Sequence, residues 1–248
     1  MRLLDITRCA RPVLFQNDDE NYPLSNGGTG FIVNFGQRLL VVTAKHVLRE
    51  KVFDIGQFRV QYRPDAQRFL PLNLLYYPTP IEGYDDTDQF DVAVLGIDQQ
   101  RLEADHFGDD QPYTLPPTDG LTIFNPAAAY IYRGYPISER QFDFENANER
   151  SARLTSVTTR ARYVGATNSE CVHELALLNL APVRSIDGMS GSPVFQVVND
   201  PDGIHSTETF AGMLIRGAIE AGRAYFIHHR RIIFLLERVL EQPNPLAQ

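Results

Sequence analysis

Apolar and β-branched residues fall in short runs along most of this chain, and turn-forming residues close nearly every run. Residues 28–35 and 38–44 are two such runs joined at Gly36-Gln37, which predicts a hairpin. Further strands are expected over 58–62, 91–97, 121–124, 129–133 and 154–164. The series continues over 174–178, 193–198, 209–215 and 223–228. Many short strands at this spacing predict an all-β barrel or sandwich. The end of the chain changes period. Ile232, Leu235, Leu236, Val239 and Leu240 recur at helical spacing after the basic cluster His228-His229-Arg230-Arg231, and Pro243 and Pro245 stop the helix. A second, weaker helix is expected between Leu3 and Arg11, ending near Pro12.

A length of 248 residues suits one large all-β unit or two smaller ones. Pro112, Pro116, Pro117 and Gly120 cluster in a polar stretch over 109–120, which divides the chain into residues 1–118 and 119–248. Residues 138–152 are charged and poor in β-branched side chains, and an exposed loop is expected there. With 43% apolar and 22% charged residues, the composition is that of a globular protein.

Charge narrows the function classes. The formal net charge is −8, and no dense Lys/Arg run appears, which argues against nucleic acid or an anionic membrane as partner. No stretch approaches the about 18 consecutive apolar residues that a membrane span needs. Asp5, Arg8 and Arg11 interrupt any apolar leader at the start. Cys9 and Cys171 are the two cysteines, a number that fits a reducing compartment. The expected location is therefore the cytoplasm. No phosphate-binding glycine loop and no metal-ligand spacing among His106, His173, His205, His228, His229 and the cysteines is present, so neither cofactor nor metal is expected.

Three segments carry candidate chemistry. Thr43-Ala44-Lys45-His46-Val47 closes an apolar run, and Asp91-Val92-Ala93-Val94-Leu95 opens one. Each is weak alone. Gly188-Met189-Ser190-Gly191-Ser192-Pro193 is stronger, because a small flexible loop around a serine brings backbone N–H groups close to a reacting carbonyl. A serine hydroxyl is a poor nucleophile near neutral pH and needs a base, and imidazole titrates in the right range. A carboxylate on the second ring nitrogen fixes the tautomer and stabilises the imidazolium. His46, Asp91 and Ser190 supply these three groups.

Together the segments resemble the trypsin-like serine peptidases, whose T-A-x-H, D-[IV]-A-[VL]-L and G-x-S-G-x-P motifs occur in this order. The resemblance runs from about Gly28 to the terminal helix. It implies two Greek-key β-barrels packed face to face, with the active site between them and a C-terminal α-helix. His46 and Asp91 would come from the first barrel and Ser190 from the second. The implied activity is a serine endopeptidase acting on protein or peptide substrates, with Gly188 and Ser190 N–H groups binding the oxyanion. Residues 212–217 resemble the strand lining the family's substrate cleft, which makes Ile215, Arg216 and Gly217 candidate substrate-binding residues. An α/β-hydrolase is a poor fit, since its order is Ser, acid, His around G-x-S-x-G. A catalytically silent or partner-activated peptide-binding module on the same fold is the alternative.

Two departures from the family pattern matter. Met189 stands where many secreted members carry an aspartate that pairs with a new N-terminal amine, so no amine-triggered activation is expected. Arg184 lies at the position that often forms the base of the P1 pocket, where a guanidinium favours an acidic side chain. The alternative is that it points to solvent. Ser192, in the variable place of G-x-S-G-x-P, is assigned a packing or loop hydrogen-bonding role. A cytoplasmic protease also needs restraint. Narrow specificity, a regulatory protein partner, or gating by residues 138–152 would each supply it.

Overall fold

The computed structural model describes residues 6–17, 23–48, 55–63, 68–78, 87–102, 107, 111–116, 124–143, 151–178, 185–199 and 206–241. A first sheet is built from β1 (Ala10–Gln16), β2 (Leu24–Phe35), β3 (Arg38–Thr43), β4 (Phe58–Val60), β5 (Leu72–Tyr76) and β6 (Ala93–Ile97). They lie in the order β4-β1-β2-β3-β6-β5, and the short β7 (Tyr113–Thr114) adds in parallel to β2. Beyond β4, a Gln61–Phe69 bridge and the 2.7 Å bond from Leu70 N–H to Val60 O turn the chain back towards β5. The sheet is thereby curled into a half-barrel.

The second body is a closed barrel. Its strands are β8 (Ala129–Gly134), β11 (Val157–Ala166), β12 (Val172–Leu177), β13 (Pro193–Asn199), β14 (Ser206–Ala218) and β15 (Arg223–His228). They close in the order β11-β12-β15-β14-β13-β8. A separate two-stranded ribbon pairs β9 (Arg140–Asp143) with β10 (Ser151–Leu154), so part of the expected 138–152 loop is strand. Residues 144–150 and 121–123, on which other expectations fall, lie outside the described residues. The double-β architecture expected from the motifs is the observed one.

Strands of the second barrel that face the first sheet are buried on both sides, which explains their nearly continuous apolar sequence. In β13, Val194 points into the barrel core, whereas Phe195 and Val197 join a core shared with the first sheet. Rings interlock across that junction: Phe31 and Phe210 are 5.4 Å apart, Tyr113 and Phe195 5.0 Å, and Phe195 and Phe210 5.8 Å. This shared core fixes how the two bodies meet, and hence the cleft between them.

The C-terminal helix α1 (His229–Glu241) buries Ile232, Ile233, Leu235, Leu236 and Val239 in the same shared core. Each such side chain contributes about 1.5–3 kcal/mol relative to exposure. Its far end reaches the first sheet. Arg38 Nη1 donates to Val239 O at 3.2 Å, and a Cβ on Gly36 would lie 2.6 Å from Leu240 Cδ1. Gly36 and Gln37, with φ of 55° and 67°, make the two-residue hairpin turn foreseen from sequence.

Of the helix expected between Leu3 and Arg11, the described residues form a single 3-10 turn over Ile6–Cys9, followed directly by β1, and residues 3–5 lie outside them. Pro12 does not break that strand, because β4 pairs only Val13 to Phe15 and Pro12 lies past its end. Cys9 and Cys171 are both free thiols, and burial pushes Cys9 up to about 12. No helix among the described residues is long and apolar enough to cross a membrane.

Candidate active site

His46 and Asp91 meet because their strands do. β3 and β6 are antiparallel neighbours with Thr43 opposite Ala93, so the residue just after β3 and the residue just before β6 leave the sheet at the same edge. His46 sits in the 3-10 turn Lys45–Leu48, which Val47 and Leu48 anchor in the core. Asp91 ends the turn Asp88–Phe90, its N–H donating to Asp88 O at 3.0 Å.

Asp91 then holds His46 twice. Oδ1 accepts the His46 backbone N–H at 2.8 Å, and Oδ2 lies 2.6 Å from Nδ1. An ionised carboxylate can only accept, so in a neutral ring this contact selects the tautomer with the proton on Nδ1 and leaves Nε2 as the acceptor.

Ser190 lies in a tight loop leading into β13, and four consecutive carbonyls of that loop are tied down. Asp187 O accepts Ile137 N–H at 2.7 Å, and Gly188 O accepts the Thr29 hydroxyl at 2.8 Å. Met189 O accepts both Ser192 N–H, at 3.0 Å, and the Ser192 hydroxyl, at 2.6 Å. Ser190 O accepts Thr29 N–H at 2.9 Å. The loop-bonding role expected for Ser192 is the one found.

In a planar trans peptide the C=O and the following N–H point in opposite directions. With the carbonyls of Asp187 and Met189 held, the N–H groups of Gly188 and Ser190 are turned away from those partners. Neither N–H meets a protein acceptor among the described residues, whereas Met189 N–H donates to Ile186 O and Gly191 N–H to Leu214 O. Gly188 has φ of 89° and Gly191 of 90°, values that favour glycine and make this loop shape accessible. Met189, where an ion-pairing acid was absent from the sequence, is fully buried in the second barrel's core.

His46, Asp91, Gly188, Ser190, Ile215, Arg216 and Gly217 all line one cleft of about 680 Å³ between the two bodies. The Ser190 hydroxyl donates to Ile215 O at 2.8 Å. Ile215 lies where the β14–β15 register shifts between Leu214 and Arg216, and it has no register partner on β15. Arg216 reaches across the cleft to Asp88 at 2.6 Å, with its guanidinium 5.1 Å from the centre of the Tyr225 ring. This pair is half-exposed, so it contributes at most about 1 kcal/mol, but it fixes where the cation lies. Gly217 must lack a side chain: a Cβ there would lie 2.8 Å from the backbone oxygen of Arg223 as well as 2.3 Å from Ile186 Cδ1.

Arg184, the expected base of the P1 pocket, lies outside the described residues, as do His106 and His205. His173, His228 and His229 gather elsewhere, at the end of β15 farther from Gly217. Rings of His228 and His229 are 4.2 Å apart, and those of His173 and His228 5.2 Å. Among the described residues, no group of three or more His, Cys, Asp or Glu side chains is arranged to hold a metal ion. Thr29, Ile137 and Asp88 are the participants that sequence reasoning missed. The one visible signal was Gly28-Thr29-Gly30, a glycine-flanked position where backbones approach closely: a Cβ on Gly28 would lie 3.2 Å from Ser190 O.

Two packed β bodies with these groups in the cleft between them define the class, and the comparison with protein families agrees. Residues 28–200 match the trypsin-like peptidase domain. The chain belongs to the trypsin-like peptidase family. Compared with curated proteins, it matches none.

Proposed function

We propose that the chain is a serine endopeptidase that hydrolyses peptide bonds through an acyl-enzyme on Ser190. His46 Nε2 removes the hydroxyl proton as Oγ attacks the scissile carbonyl, and Asp91 stabilises the resulting imidazolium through Nδ1. The N–H groups of Gly188 and Ser190 bind the oxyanion. His46 then returns the proton to the leaving amine, and water, activated by the same ring, releases the acyl group. The observation that carries this reading is a pair of N–H groups, at Gly188 and Ser190, with no acceptor among the described residues, on the cleft that also contains the His46–Asp91 pair. Fixed donors of this kind lower an acyl-transfer barrier by about 3 kcal/mol each.

Peptide or protein substrate would lie along Ile215, Arg216 and Gly217, and a regulatory protein partner would supply restraint. The setting we assign is the cytoplasm, supported by two cysteines that both carry free thiols. Residues 1–118 and 119–248 are taken as the two halves of one peptidase unit.

One observation favours a second reading. The Ser190 hydroxyl is engaged by Ile215 O, so attack requires it to exchange that acceptor for His46 Nε2. A peptide-binding module, or an enzyme whose serine is released by a partner, fits that resting state. A fluorophosphonate probe separates these readings. The wild type should be labelled at Ser190, and Ser190→Ala should neither label nor cleave a peptide library, a loss on the order of a millionfold in kcat. An unlabelled wild type would favour the module.

A further inference from the structure

We infer that Thr29 is the positioning residue of the oxyanion loop: a first-sheet side chain that fixes the loop of the second barrel and, through Thr43, the arm bearing His46. The inference rests on the peptidase reading above. Thr29 lies in the middle of β2, fully buried, and does not line the cleft. All of its polar atoms are nevertheless committed to the site. Its N–H donates to Ser190 O at 2.9 Å, and its hydroxyl donates to Gly188 O at 2.8 Å. The same hydroxyl accepts Tyr135 N–H at 2.9 Å. Its carbonyl accepts the Thr43 hydroxyl at 2.7 Å, and Thr43 ends the strand from which His46 emerges.

A hydroxyl has one proton. With Tyr135 N–H pointing at its oxygen, the proton of Thr29 is directed to Gly188 O, and the chain N–H to O–H to O=C runs one way. That direction matters at Gly188. With φ of 89° and no Cβ, its flanking peptides rotate at little intrinsic cost, and a rotation would withdraw an N–H from the cleft. Thr29 grips the two alternate peptides of the loop, Gly188–Met189 and Ser190–Gly191. Their N–H ends are secured separately, by Ile186 O and Leu214 O. The intervening peptides are thereby left to present the Gly188 and Ser190 N–H groups. Packing around Thr29 is close enough to demand glycine: a Cβ on Gly191 would lie 1.8 Å from Thr29 O, and one on Gly134 would lie 3.0 Å from Thr29 Oγ1.

Thr29→Val keeps the β-branched shape and the bond to Ser190 O but removes the hydroxyl, and Thr29→Ser restores it. Active sites are counted by fluorophosphonate titration, so that kcat is expressed per competent site. The expected result is a fall in kcat of about thirtyfold for valine, with KM within about twofold, and recovery to within about threefold for serine. A valine variant with wild-type kcat per site and only a lower melting temperature overturns the inference, and so does a serine variant as slow as valine. Where valine does not fold, Thr29→Ala is held to the same criteria. A wild type silent toward peptides would defeat the peptidase reading, yet the clamp is still read by amide exchange in folded Ser190→Ala protein. There, adding Thr29→Val should speed exchange at Met189 N–H at least about tenfold while Gly191 N–H stays protected. Equal rates at Met189 overturn it.

Discussion

The two sides of the cleft hold their polar atoms in opposite ways. On the first-sheet side, His46 and Asp91 stand on single 3-10 turns, the His46 side chain is 52% exposed, and among the described residues its ring is hydrogen-bonded to Asp91 alone. On the second-barrel side, four successive carbonyls from Asp187 to Ser190 are each bonded, and Met189 and Ser192 are fully buried. A proton carrier must change partners during the reaction, so one orienting contact suffices. Donors to an oxyanion must not move, because reorganisation at the moment of reaction would cancel their advantage. Under the proposed mechanism, exposure on one side and multiple tethering on the other suit the work each side would do.

The sharpest way to separate the sides is Asp91→Asn. It leaves the loop untouched but removes the acceptor that fixes the His46 tautomer, and kcat should fall about 10⁴-fold with the fold intact. Steady-state kinetics at several pH values checks this; a loss under tenfold would mean that the first side needs no orienting acid. Ser192→Ala strikes the second side. Its backbone N–H still holds Met189 O, so the loss should be several-fold in kcat and about 1–2 kcal/mol in stability, read by kinetics and denaturant melts. A larger kinetic loss than Thr29→Val would make Ser192 the principal tether.

The smallest effect concerns stability at the far end of the second barrel. Burial lowers His173 from 6.5 to about 4, and burial followed by the neighbouring His229, His173 and Arg230 charges lowers His228 to about 3. Burial likewise lowers His229 to about 4, with the Arg230 and His173 charges adding to it and the nearby Ala211 backbone opposing it. His228 Nδ1 accepts Arg230 N–H at 3.0 Å, so protonation there removes an acceptor, and His173 Nδ1 is hydrogen-bonded with the Tyr163 hydroxyl at 2.8 Å. The folded state therefore takes up protons less readily than the unfolded chain. Stability is fully present above pH 6.5 and declines as pH falls through about 4. Thermal melts across pH 4–7 should show that decline, and His173→Phe should shallow it; an unchanged slope would remove His173 from the account.

The difference between the sides also explains what could be read in advance. That His46, Asp91 and Ser190 would meet in one cleft was legible because each lies in a short contiguous motif, and the mutual order of the motifs is itself informative. The tethers were not, since Thr29, Ile137 and Asp88 act across the fold: the Thr29 hydroxyl reaches Gly188, 159 positions along the chain. Among strands, β5 escaped notice because Leu72–Tyr76 is half-buried throughout and lacks both alternation and β-branching. β1 was obscured by Pro12, whose placement past the end of β4 no local rule reveals. The C-terminal helix was plain from its period, but its landing place on the Gly36–Gln37 hairpin was not.

That landing place reaches beyond packing. A tail that leaves one lobe and clasps the turn of the other works as a belt, so neither lobe can come apart without loosening the buckle at Leu240. Heat or denaturant should then meet a single cooperative object rather than two independent ones, with one melting transition for both lobes.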